Sequence, residues 1–214
     1  MFEEYFDFDS AVLHKNDDDP LKSAIIDELQ RRMIVLDIRP VNEGTIRILT
    51  DTILFKLCTK AECKIEVGTK IDCKLLMPCQ FDYRIMYKGF AIGCVETKCK
   101  GGLEGKSVVQ AALELLVLQA EFAEKKCPNP LPPLFSILTD GTQYIIIKLM
   151  NIPENDTKIF VFESNSESKK LFVHHFQSIE AAVNWLIPTF LALTREPKSY
   201  VDHMKADTNL VGKR

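Results

Sequence analysis

No stretch of this 214-residue chain is apolar enough to span a bilayer: the longest candidate, Ala111 to Ala123, is interrupted by Glu114, Gln119 and Glu121. A basic leader is missing too, because Met1-Phe2-Glu3-Glu4-Tyr5 is acidic where a signal or transit peptide carries positive charge. The seven cysteines, at 58, 63, 73, 79, 94, 99 and 127, form an odd set without a Cys-x-x-Cys pair, which argues against structural zinc and against a disulfide framework. Together these absences lead us to expect an intracellular protein of the cytoplasm or nucleus, with no membrane partner. There is no internal repeat and little excess of either charge. With 27 Lys and Arg against 30 Asp and Glu, the net charge of −3 speaks against a general polyanion-binding surface.

What is present is an ordinary globular composition, 46% hydrophobic and 27% charged, enough for one substantial core. The expected organisation is an N-terminal arm over 1–18, a single domain over 19–195 and a mobile tail over 196–214. Asp19-Pro20 reads as a helix start, and Leu21, Ile25, Leu29 and Met33 recur at helical spacing, so a first helix covers about 21–34 with Glu28 beside its buried stripe. Strands are expected at 45–49, 53–57, 63–67 and 71–76, then a hairpin of 81–87 and 90–98. A glycine-rich loop leads into a helix over about 107–125, which the proline cluster from Pro128 to Pro133 stops. Strands at 134–138 and 144–149, joined at Asp140-Gly141, precede two more at 159–162 and 171–176. A last helix is capped by Ser178 and kinked or ended at Pro188. The fold class is therefore α/β, a mixed central β-sheet flanked by helices.

The hairpin holds the most informative residues. Glu96-Thr97-Lys98 closes the apolar run Phe90 to Val95, and Asp82 starts the facing strand. Glu96 and Lys98, two residues apart on a strand, point to one face. Whether Asp82 joins them depends on register. A two-residue loop at Lys88-Gly89 pairs Tyr87 with Phe90 and Asp82 with Val95, leaving Asp82 on the wrong face. A three-residue loop with Gly89 in the left-handed conformation opposes Met86 to Phe90 and sets Asp82 one diagonal step from Glu96. We expect the second register, although a bend at Asp82 achieves the same convergence.

Glu28, Asp82, Glu96, Lys98 and Gln110 form the candidate constellation. An acid or lysine on any one of these elements is usually a surface residue; here the strand face that carries Glu96 is otherwise apolar, so its charge needs a partner. Two carboxylates about 4 Å apart repel by roughly 4 kcal/mol at an effective dielectric near 20, and a dication between them reverses the sign. Gln110 and Glu114 lie at i and i+4 and account for each other equally well as a structural pair. The loop Gly101 to Ser107 lacks P-loop spacing, since Lys100 stands where the first glycine belongs. Lys100 and Lys106, beside the motif, are candidates for touching phosphates.

Asp82 followed by Glu96-Thr97-Lys98, after a helix bearing Glu28 and before a helix bearing Gln110, resembles the PD-(D/E)XK nuclease superfamily over roughly 21–149, with Phe81 where that family's proline stands. The resemblance implies a restriction-endonuclease-like core of αβββαβ order, with added strands and a C-terminal helix. It implies Mg²⁺ or Mn²⁺, one ion or two, held by Asp82, Glu96 and the Thr97 carbonyl, with Glu28 at a second ion or its water. Lys98 then orients or deprotonates the attacking water and Gln110 positions water or substrate. The implied activity is hydrolysis of DNA or RNA; the alternative is a catalytically inactive nuclease-like domain that binds nucleic acid or protein. Endo or exo action and oligomeric state, a dimer included, stay open.

Overall fold

The computed structural model of the chain describes residues 20–36, 42–72, 78–103, 105–141, 143–152, 156–161, 174–175 and 179–211. The expected arm, the Ser178 cap and most of the strand expected at 171–176 lie outside these residues.

The elements run α1 (Pro20–Leu36), α2 (Glu43–Lys60), β1 (Lys64–Val67), β2 (Lys70–Ile71), β3 (Cys79–Gln80), β4 (Tyr83–Tyr87), β5 (Phe90–Thr97), α3 (Gly105–Glu124), β6 (Leu134–Thr139), β7 (Gln143–Ile152), β8 (Asp156–Val161), β9 (His174–His175) and α4 (Ile179–Val211). The main sheet has the order β1-β4-β5-β6-β7-β8, with β9 also beside β7, while β2 and β3 form a small separate pair. Every pairing is antiparallel except β5 with β6, which α3 connects as a crossover. This is a mixed α/β architecture.

Helix α3 covers one face of the sheet; its buried positions Ala111, Glu114, Leu115, Leu118 and Phe122 recur at helical spacing. The other face meets α2 and α4, where Val95 and Ile137 approach Leu54, Leu57 and Leu186. Phe135 on β6 packs edge-on to Phe190 of α4, ring centroids 6.1 Å apart.

Two expectations need correction. Residues 45–49 and 53–57, read as strands, belong to α2. Their β-branched content suggested extended chain, but Asn42 caps a helix, its Oδ1 accepting from the Thr45 amide at 2.9 Å. Ile46, Thr50, Ile53, Leu54 and Leu57 then form a buried helical stripe. The mobile tail from 196 is helical instead, as α4 continues through Pro188 and Pro197 to Val211. Tertiary contacts carry it past the missing amides: Val201 is buried, Lys148 pairs with Glu196 at 2.9 Å, and the Tyr87 hydroxyl donates to Asp202 at 3.0 Å. Most of the strand expected over 71–76 lies outside the described residues; Ile71 ends the two-residue β2.

The hairpin loop is the two-residue form that was set aside. Lys88 and Gly89 both have positive φ, 46° and 85°, and Tyr87 pairs with Phe90. The register then slips, since Met86 pairs with Ala91 but Ile85 with Gly93, leaving Ile92 unmatched in a β-bulge. Beyond the bulge Tyr83 faces Val95, where the pairing ends, and Asp82 sits at a bend just before β4 with its carboxylate on Thr97 at the end of β5. The slip sought at Gly89 occurs at Ile92.

Gly93, beside the bulge, has room for no side chain: a Cβ there would lie 2.6 Å from Cζ of Phe135. Gly93→Ala is expected to destabilise the fold by about 1–3 kcal/mol through overpacking. Urea unfolding of both chains measures this, and an unchanged midpoint would contradict the packing.

Candidate acidic site between the hairpin and two helices

The bulge delivers Asp82 to the end of β5, and there its carboxylate is held firmly. Oδ2 accepts from the Thr97 amide at 2.9 Å and from the Thr97 hydroxyl at 2.5 Å. Oδ1 accepts from Nη2 of Arg47, on α2. Arg47 also bonds Glu43 one turn earlier, at 2.8 Å, and its Nε reaches Oγ1 of Thr97 at 3.3 Å. The Tyr83 hydroxyl donates to the Arg47 carbonyl at 3.3 Å, tying α2 to β4.

Glu96 points toward α3 and is only 5% exposed. Its Oε1 accepts from Lys98 Nζ at 2.6 Å and from Gln110 Nε2 at 2.8 Å. Oε2 is buried without a hydrogen-bond partner in the protein. Burial raises the Glu96 pKa; Lys98 opposes that most strongly, and the neighbouring Asp82 carboxylate adds to the rise. The Asp82 amide also favours the ionised form, without making a hydrogen bond by geometry.

Gln110 organises the α3 side. Its Oε1 accepts from Lys98 at 2.9 Å while its Nε2 donates to Glu96 and to Glu114, the latter at 3.0 Å. The active-site and structural readings of Gln110 therefore describe one network. Glu114 is fully buried beside Cys94, whose Sγ lies 3.7 Å from Oε2. Burial first, and the Glu96 charge second, push its pKa up to about 8. Near neutral pH Glu114 is thus largely protonated, which spares the pocket a further negative charge.

Glu96, Lys98 and Gln110 join in one hydrogen-bonded network, and Asp82 and Thr97 in another, close enough for the Asp82 charge to act on Glu96. Glu28 joins neither. It lies on α1, bonded to Arg32 at 2.9 Å, and the charges acting on it are those of Arg32, Arg31 and Lys56. Its place beside the site is taken by α2, with Glu43 and Arg47, which the strand reading of 45–49 concealed; Asn42-x-x-Thr45 was the available signal. Lys100 and Lys106 are exposed, in the loop after Lys98 and in the first turn of α3. Asp140, read as a turn former, does accept from Gln143 N at 2.9 Å, but its other oxygen takes the Gly101 amide at 3.1 Å and so pins the loop that follows Lys98.

Two carboxylates and a main-chain carbonyl are hard oxygen donors of the kind Mg²⁺ and Mn²⁺ prefer, and the unpartnered Glu96 Oε2 fits such a group. Among the described residues no group of three or more His, Cys, Asp or Glu is placed to hold a metal. A magnesium-type site does not need one, since it commonly uses one or two carboxylates with water and substrate. Among the described residues, no helix is long and apolar enough to cross a membrane.

No family model, curated protein or solved structure matches this chain. Function must therefore be argued from the site itself.

The raised Glu114 pKa has a definite consequence for stability. Unfolded, this carboxyl ionises near 4.5; folded, near 8, so between those values the folded state binds the extra proton and stability falls as pH rises. Below 4.5 the contribution is absent, and above about 8 the loss is complete. Glu114→Gln keeps an acceptor for Gln110 and removes the titration. Its stability relative to the native chain should grow with pH across that window, toward a few kcal/mol at most. Urea unfolding at several pH values tests this, and a pH-independent difference would contradict it.

Proposed function

We propose that the chain is a metal-dependent nuclease hydrolysing phosphodiester bonds of DNA or RNA, with Mg²⁺ or Mn²⁺ held by Asp82, Glu96 and the Thr97 carbonyl. One observation carries the reading: a carboxylate oxygen of Glu96 is buried and unpartnered, near enough to Asp82 for the charge of one carboxylate to act on the other. A buried ionised carboxylate oxygen without a donor is costly, and a dication offsets that cost. The order α2-β1-β4-β5-α3-β6 also supports the restriction-endonuclease-like core, with β2 and β3 as an insertion and α2, rather than α1, as its first helix.

A bound dication polarises a phosphoryl oxygen and acidifies water. Lys98, fixed between Glu96 and Gln110, holds a proton-bearing nitrogen where it can orient water and meet charge developing on the phosphate. Gln110 prevents Lys98 from swinging away. Glu114 and Cys94 close the pocket floor against solvent.

A second reading has its own support. Arg47 already neutralises Asp82, so the site tolerates the absence of an ion, as expected of a nuclease-like module that only binds nucleic acid or protein. Incubation of labelled DNA and RNA, single- and double-stranded, with and without Mn²⁺ separates the two. Under the nuclease reading, Mn²⁺-dependent cleavage is expected; Glu96→Gln loses both cleavage and calorimetric Mn²⁺ binding. Lys98→Ala keeps the ion and loses cleavage by about 10²-fold or more. Native-rate cleavage by Lys98→Ala would remove that residue from the mechanism, and absence of both heat and cleavage from the native chain favours the binding module.

A further inference from the structure

Arg47 stands out among the cations near the site because its guanidinium is not committed to a buried place. Arg84, by contrast, is buried between Glu66 at 2.8 Å and Glu121 at 2.5 Å, and serves to tie β1, β4 and α3 together. Arg47 is 47% exposed, and its partners are an exposed Glu43, the edge of Thr97 and the largely buried Asp82. Its main chain is anchored by Tyr83 while its side chain reaches Thr97 and Asp82.

We propose that Arg47 is a phosphate-binding residue of this site, parked on the Asp82 carboxylate until a cation claims that carboxylate and thereafter turned to a backbone phosphate of the nucleic acid. The inference rests on the nuclease reading and adds a residue to it. At Asp82 Oδ1 a guanidinium and a dication compete, because two positive charges at contact distance repel. On leaving Asp82, Arg47 keeps its exposed i,i+4 pair with Glu43, a weak bond that serves as a tether. A guanidinium freed at the rim presents a planar fork of donors that matches two phosphate oxygens, a geometry that lysine lacks. The side chain that balances Asp82 in the free protein thereby becomes the one that registers substrate.

A purely structural role, tying α2 to the hairpin, makes different demands. Losing a tie lowers stability but gives Asp82 no better access to an ion. The test compares the full chain with Arg47→Met in two measurements: calorimetric titration with Mn²⁺ alone, and fluorescence-anisotropy binding of labelled duplex DNA and single-stranded RNA in Ca²⁺ over a salt series. The variant should bind Mn²⁺ about tenfold more tightly, having lost the competitor. It should bind nucleic acid more weakly, with the slope of log affinity against log salt shallower by about one contact. Equal or weaker Mn²⁺ binding by the variant, or unchanged nucleic-acid binding, would overturn the proposal while leaving the nuclease reading intact. Absence of Mn²⁺ binding from both chains would instead remove the nuclease reading and this inference with it. Should Arg47→Met fail to fold, Arg47→Lys retains the charge and loses the fork. Near-native Mn²⁺ affinity with weaker nucleic-acid binding is then expected, and native affinity for both overturns the proposal.

Discussion

A single unmatched residue in the pairing of β5 with β4 decides what this molecule can do. Side chains alternate along a strand, so a slip of one position moves every later residue relative to its neighbour across the ladder. The tight turn at Lys88-Gly89 alone would set Asp82 against Val95; the bulge at Ile92 gives Val95 to Tyr83 and lets Asp82, at the bend before β4, reach Thr97 at the end of β5. Gly93, pressed against Phe135, is the residue that lets the strand pass β6 immediately after the bulge. Packing against α4 and the geometry of an acidic pocket on the α3 side are thus coupled through two consecutive residues.

The site holds charge that is largely buried, and its polar groups are arranged to limit the cost. Glu96 takes two donors on one oxygen, Gln110 uses both ends of its amide, and Glu114 stays protonated near neutral pH. What these bonds leave over is Oε2 of Glu96. On the opposite side of the hairpin, α2 supplies a positive charge for Asp82 through Arg47. The two carboxylates are therefore balanced by different helices, so that either balance can change without disturbing the other. A site committed only to stability would do better with apolar residues packed in its place.

Much of this was legible before any coordinates. Glu96 and Lys98 had to share a face, the apolar run before them had to be buried, and the helix carrying Gln110 followed from the glycine-rich loop that leads into it and the prolines that stop it. The bulge was not legible in position, because a slip at Gly89 and a slip at Ile92 make the same demand on Asp82 and differ only in packing against Phe135. Helix α2 was concealed by its threonines and isoleucines, whose local preference for extended chain is overridden by burial of Ile46, Ile53, Leu54 and Leu57 along one face. With that helix misread, the acid had to be sought on α1, where Glu28 borders the buried stripe, and Arg47 had no reason to be noticed. The prolines of α4 misled similarly, since contacts with the hairpin hold a helix that the local sequence would interrupt.

The measurement that bears most directly on the account is the anomalous diffraction of a crystal soaked with Mn²⁺. The account predicts one peak within bonding distance of Asp82, of Glu96 Oε2 and of the Thr97 carbonyl, with the Arg47 guanidinium withdrawn from Asp82. A crystal that takes up Mn²⁺ elsewhere or not at all, with Arg47 still on Asp82 and nothing bound to Glu96 Oε2, would contradict it.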